Sequence, residues 1–297
     1  MARQPLRRRP RLGRCAAAQS RDDLATMATP DRFRLDGQVV LLTGAGRGLG
    51  RAMALSYADA GAKVAGASRT LSQLEETAEL VAARGGEAIS IATDVTDRAA
   101  VEAMVAETID RFGRVDILMN NAGGGAEGDG SPLEQLTDEQ WRWGIDMNLT
   151  SQMLCARAVL PHMTERPDNR GGVIINVASG FGLRGGRDNW MYVSAKAGVV
   201  NFTRSLAVTY GPAGVRTNCI APGIFPHTPQ ALERWRGGRY IPIGRVGLAW
   251  EMGPLAVFLS SDAAAGISGE TIAQDGGGLA AIGPTGWAPR VRLTEPT

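Results

Sequence analysis

A β-rich, largely apolar run, Val39–Thr43, leads directly into Gly44-Ala-Gly-Arg-Gly48-Leu-Gly50, and apolar side chains at helical spacing follow. A strand that turns on glycines into a helix is the opening unit of a parallel α/β sheet, and it leaves the helix N-terminus facing the space beyond the strand end. Glycines allow backbone conformations closed to other residues and keep Cβ atoms away from an approaching group. The unpaired N–H groups and positive dipole end of the helix attract an anion there, so Thr43, Gly44, Arg47, Gly48 and Leu49 are read as a phosphate-binding loop. The spacing is G-x-x-x-G-x-G rather than G-x-G-x-x-G, and a plain tight turn is the alternative.

The rest of the chain repeats this alternation. Further β-rich runs stand at Lys63–Ala67, Ala88–Thr93, Val115–Met119, Val173–Val177, Arg216–Ile220 and Thr271–Gln274. Between them, Ala52–Ala60, Leu71–Arg84, Arg98–Phe112, Asp138–Met163, Met191–Tyr210 and Trp250–Ser260 carry apolar residues three and four apart. The expectation is an α/β doubly wound parallel sheet of about seven strands with helices on both faces. Its ligand crevice lies beyond the carboxyl ends of the strands. Two stretches break the alternation, 124–132 and 223–247, and both read as loops at the rim of that crevice, the second as a substrate lid.

The 297 residues suit one large α/β domain, expected over 33–278, with a leader at 1–32 and a tail at 279–297. With 44% hydrophobic residues and no apolar run approaching the roughly 20 residues that cross a bilayer, a membrane protein is excluded. Residues 1 to 21 hold seven arginines and no acid, so a net charge of +2 leaves the remainder at −5. The leader has one serine before Arg21 and no clear amphipathic period. It is read as a disordered extension rather than a transit peptide, with Met27 a natural alternative start. The body has no basic stripe, which argues against nucleic acid as a partner. Cys15, Cys155 and Cys219 show no metal or redox spacing, and His162 and His227 are far apart. No metal site is expected, and a reducing cytoplasm fits.

The chemistry gathers at the strand ends. Ala67-Ser68-Arg69 closes the second strand without the acid that binds an unphosphorylated ribose. Arg69, with Ser68 beside it and Arg47 in the glycine loop, suits a 2′-phosphate, so NADP is preferred to NAD; two exposed surface arginines are the alternative. Asp94 at the end of the third strand can accept from an adenine amino group, or simply start a turn. Tyr192 and Lys196 stand four residues apart on one helical face. A free tyrosine titrates at about 10, and an adjacent ammonium lowers that by favouring phenolate. A lowering of about 2 pH units takes about 2.7 kcal/mol, which a charge in a partly dry cleft can supply. Ser179, after the fifth strand, can donate to a substrate oxygen beside Tyr192. Asn148 is an awkward residue inside a helix, and a relay role accounts for it.

Gly44 to Gly50, Asp94, Asn120-Asn-Ala-Gly123, Asn148, Ser179, Tyr192, Lys196 and Pro222-Gly223 together resemble the short-chain dehydrogenase/reductase family, over roughly Phe33 to Gly277. The resemblance implies a Rossmann-type fold and a catalytic set of Asn148, Ser179, Tyr192 and Lys196. Tyr192 is then the acid/base, Lys196 holds the nicotinamide ribose, Ser179 polarises the carbonyl and Asn148 anchors a water relay. It places Val95 beside Asp94, and Asn121, Ala122 and Gly123 on the adenosine side. Pro222, Gly223 and Ile224 then approach the nicotinamide amide. It implies a homotetramer or homodimer.

Among members, the chain is similar to 3-oxoacyl carrier-protein reductases and to gluconate or glucose dehydrogenases. Leu206-Ala-Val-Thr209 lacks the basic residue expected for gripping a carrier protein. The stretch from Phe181 to Trp190 mixes Arg184 and Arg187 with the two aromatics at its ends, which suits a carbonyl compound with an apolar part and an acid group; core packing is the alternative for the two rings. His227 and Trp235 in the lid are candidate substrate contacts. The expected function is NADP(H)-dependent hydride transfer between nicotinamide and a ketone or secondary alcohol. The alternatives are a 3-oxoacyl-thioester or sugar-acid reductase, a non-turnover NADP-binding protein, or a redox-neutral enzyme of similar fold.

Overall fold

A computed structural model describes residues 28–125, 130–166, 168, 170–226, 228–234, 238 and 241–281. Seven strands form one parallel sheet: β1 (Val39–Thr43), β2 (Lys63–Ser68), β3 (Ala88–Ala92), β4 (Ile117–Asn120), β5 (Gly172–Val177), β6 (Val215–Pro222) and β7 (Thr271–Gln274). Their order is β3-β2-β1-β4-β5-β6-β7, and every pairing is parallel. The order reverses between β1 and β4, the point at which such sheets open a crevice.

The strands are apolar almost throughout because both faces are covered. Alternate side chains enter opposite cores: Val40, Leu42, Ile117 and Met119 pack on one face, Leu41 and Leu118 on the other. The first core is closed by Met53 and Tyr57 of α1 (Gly48–Asp59) and Met252 and Leu259 of α8 (Met252–Ser260). The second takes Val101 and Met104 of α3 (Arg98–Phe112) and Leu154 and Val159 of α5 (Ser151–Thr164). Two further long elements, α2 (Leu71–Ala82) and α6 (Trp190–Tyr210), complete the alternation.

Three local differences from the sequence expectation matter. Helix α1 begins at Gly48 rather than Ala52, so the last glycines of the turn are its first residues. The helix expected over Asp138–Met163 is two: α4 (Asp138–Ile145) and α5, joined by a π-helical turn at Asp146–Thr150 that contains Asn148. A π turn inserts a residue into the helical ladder, and such turns gather at functional sites. The irregular 223–247 stretch holds a short helix, α7 (Pro229–Arg234).

Candidate active site

The glycine turn is braced from both sides. Gly44 has φ +70° and Gly48 φ +54°, so both occupy the left-handed region that favours glycine. A Cβ on Gly50 would fall 1.9 Å from the Gly44 carbonyl oxygen, so the turn closes only with glycine there. Asn121 Nδ2 donates to the carbonyls of Thr43 at 2.9 Å and Gly44 at 3.3 Å. In return, Thr43 Oγ1 accepts from the backbone N–H groups of Asn121 and Ala122 at 3.0 and 3.1 Å. Thr43 is thus buried under the cleft as the link between β1 and the end of β4, rather than lining it. From outside, Arg51 donates to the Gly46 carbonyl at 2.6 Å and pairs with Glu76 at 2.7 Å, while Thr77 Oγ1 donates to the Ala45 carbonyl at 3.2 Å.

Above this turn opens a cleft of about 570 Å³. At one end its wall holds Gly44, Arg47, Gly48 and Leu49, then Ser68 and Arg69, then Asp94 and Val95. Arg47 and Arg69 are exposed, and neither forms a salt bridge with a carboxylate of the described residues. Asp94 Oδ1 accepts from the N–H and hydroxyl of Thr96 at 2.9 and 2.7 Å, the turn-starting arrangement that was its alternative reading. Those bonds hold its carboxyl below the ordinary range, with a smaller contribution from Arg69. Its Oδ2 is left to accept from another group.

The cleft floor then passes Asn121, Ala122 and Gly123 and ends at Tyr192, Lys196, Pro222 and Gly223. Lys196 is buried; its Nζ donates to the Val177 carbonyl at 2.9 Å and lies 5.6 Å from the Tyr192 ring centroid. Burial lowers the lysine from 10.5 to about 8, so it is an ammonium at neutral pH and loses its charge in mildly alkaline solution. Asn148 is fully buried, and its side chain is committed to the loop after β4: Oδ1 accepts from Gly124 N–H at 3.0 Å, and Nδ2 donates to the carbonyls of Gly124 and Gly144 at 2.9 and 3.0 Å. Gly123 lets the two approach. A Cβ there would sit 2.8 Å from Asn148 Oδ1 and 3.1 Å from Lys196 Nζ.

Ser179 is buried two residues beyond β5, and its Oγ accepts from Phe181 N–H at 3.1 Å, which leaves the hydroxyl hydrogen to donate. Neither Ser179, Asn148 nor Ile224 lines the cleft itself; Ile224 faces a small neighbouring cavity with Phe225. Of the two aromatics in the 181–190 stretch, Phe181 is half-buried under the Arg184 guanidinium, which lies 5.2 Å from the ring centroid. Trp190 is tied down, its indole N–H donating to the Ser131 carbonyl at 3.0 Å. Asp188, at φ +50°, accepts from Gly130 N–H through its carbonyl. The latch pins the loop before Tyr192 to the loop after β4. His227 and Trp235, the leader to residue 27 and the tail from 282 lie outside the described residues.

The site has the features a dinucleotide needs. The α1 N-terminus has no side-chain cap and no acid in its first turn, its glycines leave the space a Cβ would fill, and two arginines stand at the rim. A sequence model of the short chain dehydrogenase family matches residues 38–236. The chain is a short-chain dehydrogenase/reductase. It is 37% identical over 248 residues to the (2S)-[(R)-hydroxy(phenyl)methyl]succinyl-CoA dehydrogenase subunit BbsD of Thauera aromatica, covering 82% of this chain and 97% of that one. It is 35% identical to the 3-oxoacyl-[acyl-carrier-protein] reductase of Escherichia coli K12, over 82% of this chain and 98% of that one. A 7α-hydroxysteroid dehydrogenase solved with NADH and 7-oxo glycochenodeoxycholic acid superposes with a TM-score of 0.78 at 31% identity, covering 85% of this chain and 98% of that chain. This short-chain dehydrogenase/reductase is therefore an oxidoreductase of a family that uses a nicotinamide cofactor. Among the described residues, no helix is long and apolar enough to cross a membrane and no cluster of three or more His, Cys, Asp or Glu could hold a metal.

Sequence reasoning missed Arg51, Thr77 and Gln152. Arg51 and Thr77 support the glycine turn across 26 residues of chain, a pairing no local pattern announces. For Gln152 a signal existed: it stands four residues after Asn148, a long polar side chain just ahead of an apolar helical run.

Proposed function

We propose that this oxidoreductase interconverts a ketone and a secondary alcohol with NADP(H). One observation carries the reading: Arg47 and Arg69 line one end of the same cleft that Tyr192 and Lys196 line at the other. When bound, the nicotinamide supplies or accepts the hydride. Tyr192 gives its phenolic proton to the carbonyl oxygen in reduction and takes one back in oxidation. Lys196, cationic at neutral pH, favours the phenolate and holds the nicotinamide ribose. Ser179 donates to the same carbonyl oxygen, stabilising the charge that develops there. Asn148 fixes Gly124 and so anchors the wall along which a water relay returns protons to Lys196.

At the other end, Arg69, Arg47 and Ser68 take the 2′-phosphate, and the absence of a carboxylate at the end of β2 disfavours NAD. Asp94 and Val95 border the adenine, Asn121, Ala122 and Gly123 the adenosine, and Pro222, Gly223 and Ile224 the nicotinamide amide, with Thr43, Gly44, Gly48 and Leu49 shaping the pyrophosphate turn. The reading takes 33–278 as the catalytic domain with 223–247 as its lid, a homotetramer or homodimer as the assembly, and the cytoplasm as its compartment. A 3-oxoacyl thioester is the second substrate class, favoured by the names of the Thauera and Escherichia relatives.

The test is steady-state oxidation of NADPH against NADH by the purified protein, with separate pools of ketones, aromatic ketones, keto acids, keto sugars and β-ketoacyl thioesters. Turnover with NADPH in one pool is the expected result. Tight NADPH binding with silence in every pool would point instead to a non-turnover or redox-neutral protein.

A further inference from the structure

Lysine is scarce in this chain: Lys63 and Lys196 are the two, against 30 arginines. The Val177 carbonyl that holds Lys196 has a second side-chain donor. Gln152 on α5, itself 2% exposed, donates its Nε2 to the same oxygen at 3.0 Å. The last β4–β5 pair joins Asn120 to Asn176, so Val177 lies one residue past the end of β4, and side chains meet its carbonyl there. The two donor nitrogens are no farther apart than the sum of their distances to that oxygen.

We infer that Gln152 is a positioning residue for Lys196: by occupying one lone pair of the Val177 carbonyl, it weakens that carbonyl's hold on the ammonium and leaves Lys196 able to turn toward the cofactor ribose and Tyr192. A carbonyl oxygen offers two lone pairs, and an N–H dipole aimed at it disfavours a second, positively charged donor. The amide orientation follows from the contact, since the reverse assignment would set oxygen against oxygen. Gln152 is also held in place: its backbone carbonyl accepts from Asn120 Nδ2 at 3.2 Å, Asn120 donates to Asn176 at 3.0 Å, and Asn176 donates to Thr203 at 3.0 Å. The titratable groups facing Lys196 are Tyr192 on its own helix and Cys219 on β6. Burial pushes the Cys219 thiol up to about 11, so it stays neutral where Lys196 titrates. No carboxylate of the described residues from β5, α5 or the Gly123 loop acts on the lysine.

The inference rests on Lys196 acting as the cofactor-holding ammonium, and its test separates the two ideas. With two lysines, selective 13Cε-lysine labelling of the full chain gives one signal for each, assigned with Lys63→Arg. In Gln152→Leu, the Lys196 titration is expected to move up by about 0.5 to 1 pH unit. The Kd for whichever of NADPH and NADH binds more tightly should weaken about three- to ten-fold. Gln152→Glu, which keeps the side-chain shape, should move the titration further up, because a carboxylate favours the ammonium. Thr203→Val cuts the same network without touching Val177, and should lower Tm while leaving the titration in place. An unmoved Lys196 titration in both Gln152 variants, or an equal shift in Thr203→Val, would overturn the inference. Full turnover in Lys196→Met would instead overturn the role of Lys196 itself.

Discussion

The two ends of the cleft are built from different materials. At the glycine turn the surface around the α1 N-terminus is largely backbone, with Arg47 at its rim and side chains such as Thr43, Asn121 and Arg51 bracing it. At the other end the cleft is lined by side chains, Tyr192 and Lys196, and backbone positions the lysine: the Val177 carbonyl and the Cβ-free surface of Gly123. A backbone surface suffers when an atom is added, a side-chain surface when one is removed. The contrast predicts opposite sensitivities to mutation.

The largest effect is expected from Tyr192→Phe. Loss of the phenolic proton should lower kcat about 10³-fold, with cofactor affinity measured by fluorescence titration staying within about two-fold of wild type. Retained turnover would remove the distinction between the two ends. Next is the buried charge of Lys196. Its folded-state value of about 8 lies below the unfolded 10.5, so between those values the unfolded chain binds the extra proton and wild-type stability rises with pH. Relative to Lys196→Met, wild type is therefore least stable below pH 8 and should gain on the order of 3 kcal/mol as pH passes through that window. Denaturant unfolding of both proteins at the two limits checks this; a constant difference would mean the lysine is not desolvated.

Gly50→Ala adds one methyl group against the Gly44 carbonyl and is expected to cost about 1–3 kcal/mol of stability while abolishing measurable cofactor binding. Near-normal binding would show that the backbone end is more yielding than its contacts imply. Arg69→Asp, an exposed change, should leave Tm almost unmoved and shift the NADPH-to-NADH preference about ten-fold. An unchanged ratio would detach Arg69 from the cofactor.

The sheet was legible because strands covered on both faces are written as apolar runs, and Val39–Thr43 is buried at every position and apolar at all but the last. Tyr192 and Lys196 were legible as a pair because the helix that carries them is regular. The π turn was not, since it needs one inserted residue and has no composition of its own; only Asn148, polar in mid-helix, hinted that something interrupts the ladder. Helix α7 was hidden by the Pro/Gly-rich sequence around it, although Thr228 before Pro229 is a capping signature and Thr228 Oγ1 does accept from Ala231 N–H at 3.1 Å. The bracing by Arg51 and Thr77 depends on chain crossings that appear only once β1 and β2 lie side by side.

The burial of Lys196 has a practical side as well. An amine-reactive linker meets one lysine side chain on the folded protein, Lys63, which is 41% exposed and opens β2. That position is at the opposite end of the strands from the cleft. Attachment through that side chain would place the support at the far end of the strands, with the cleft opening turned toward the flowing solution.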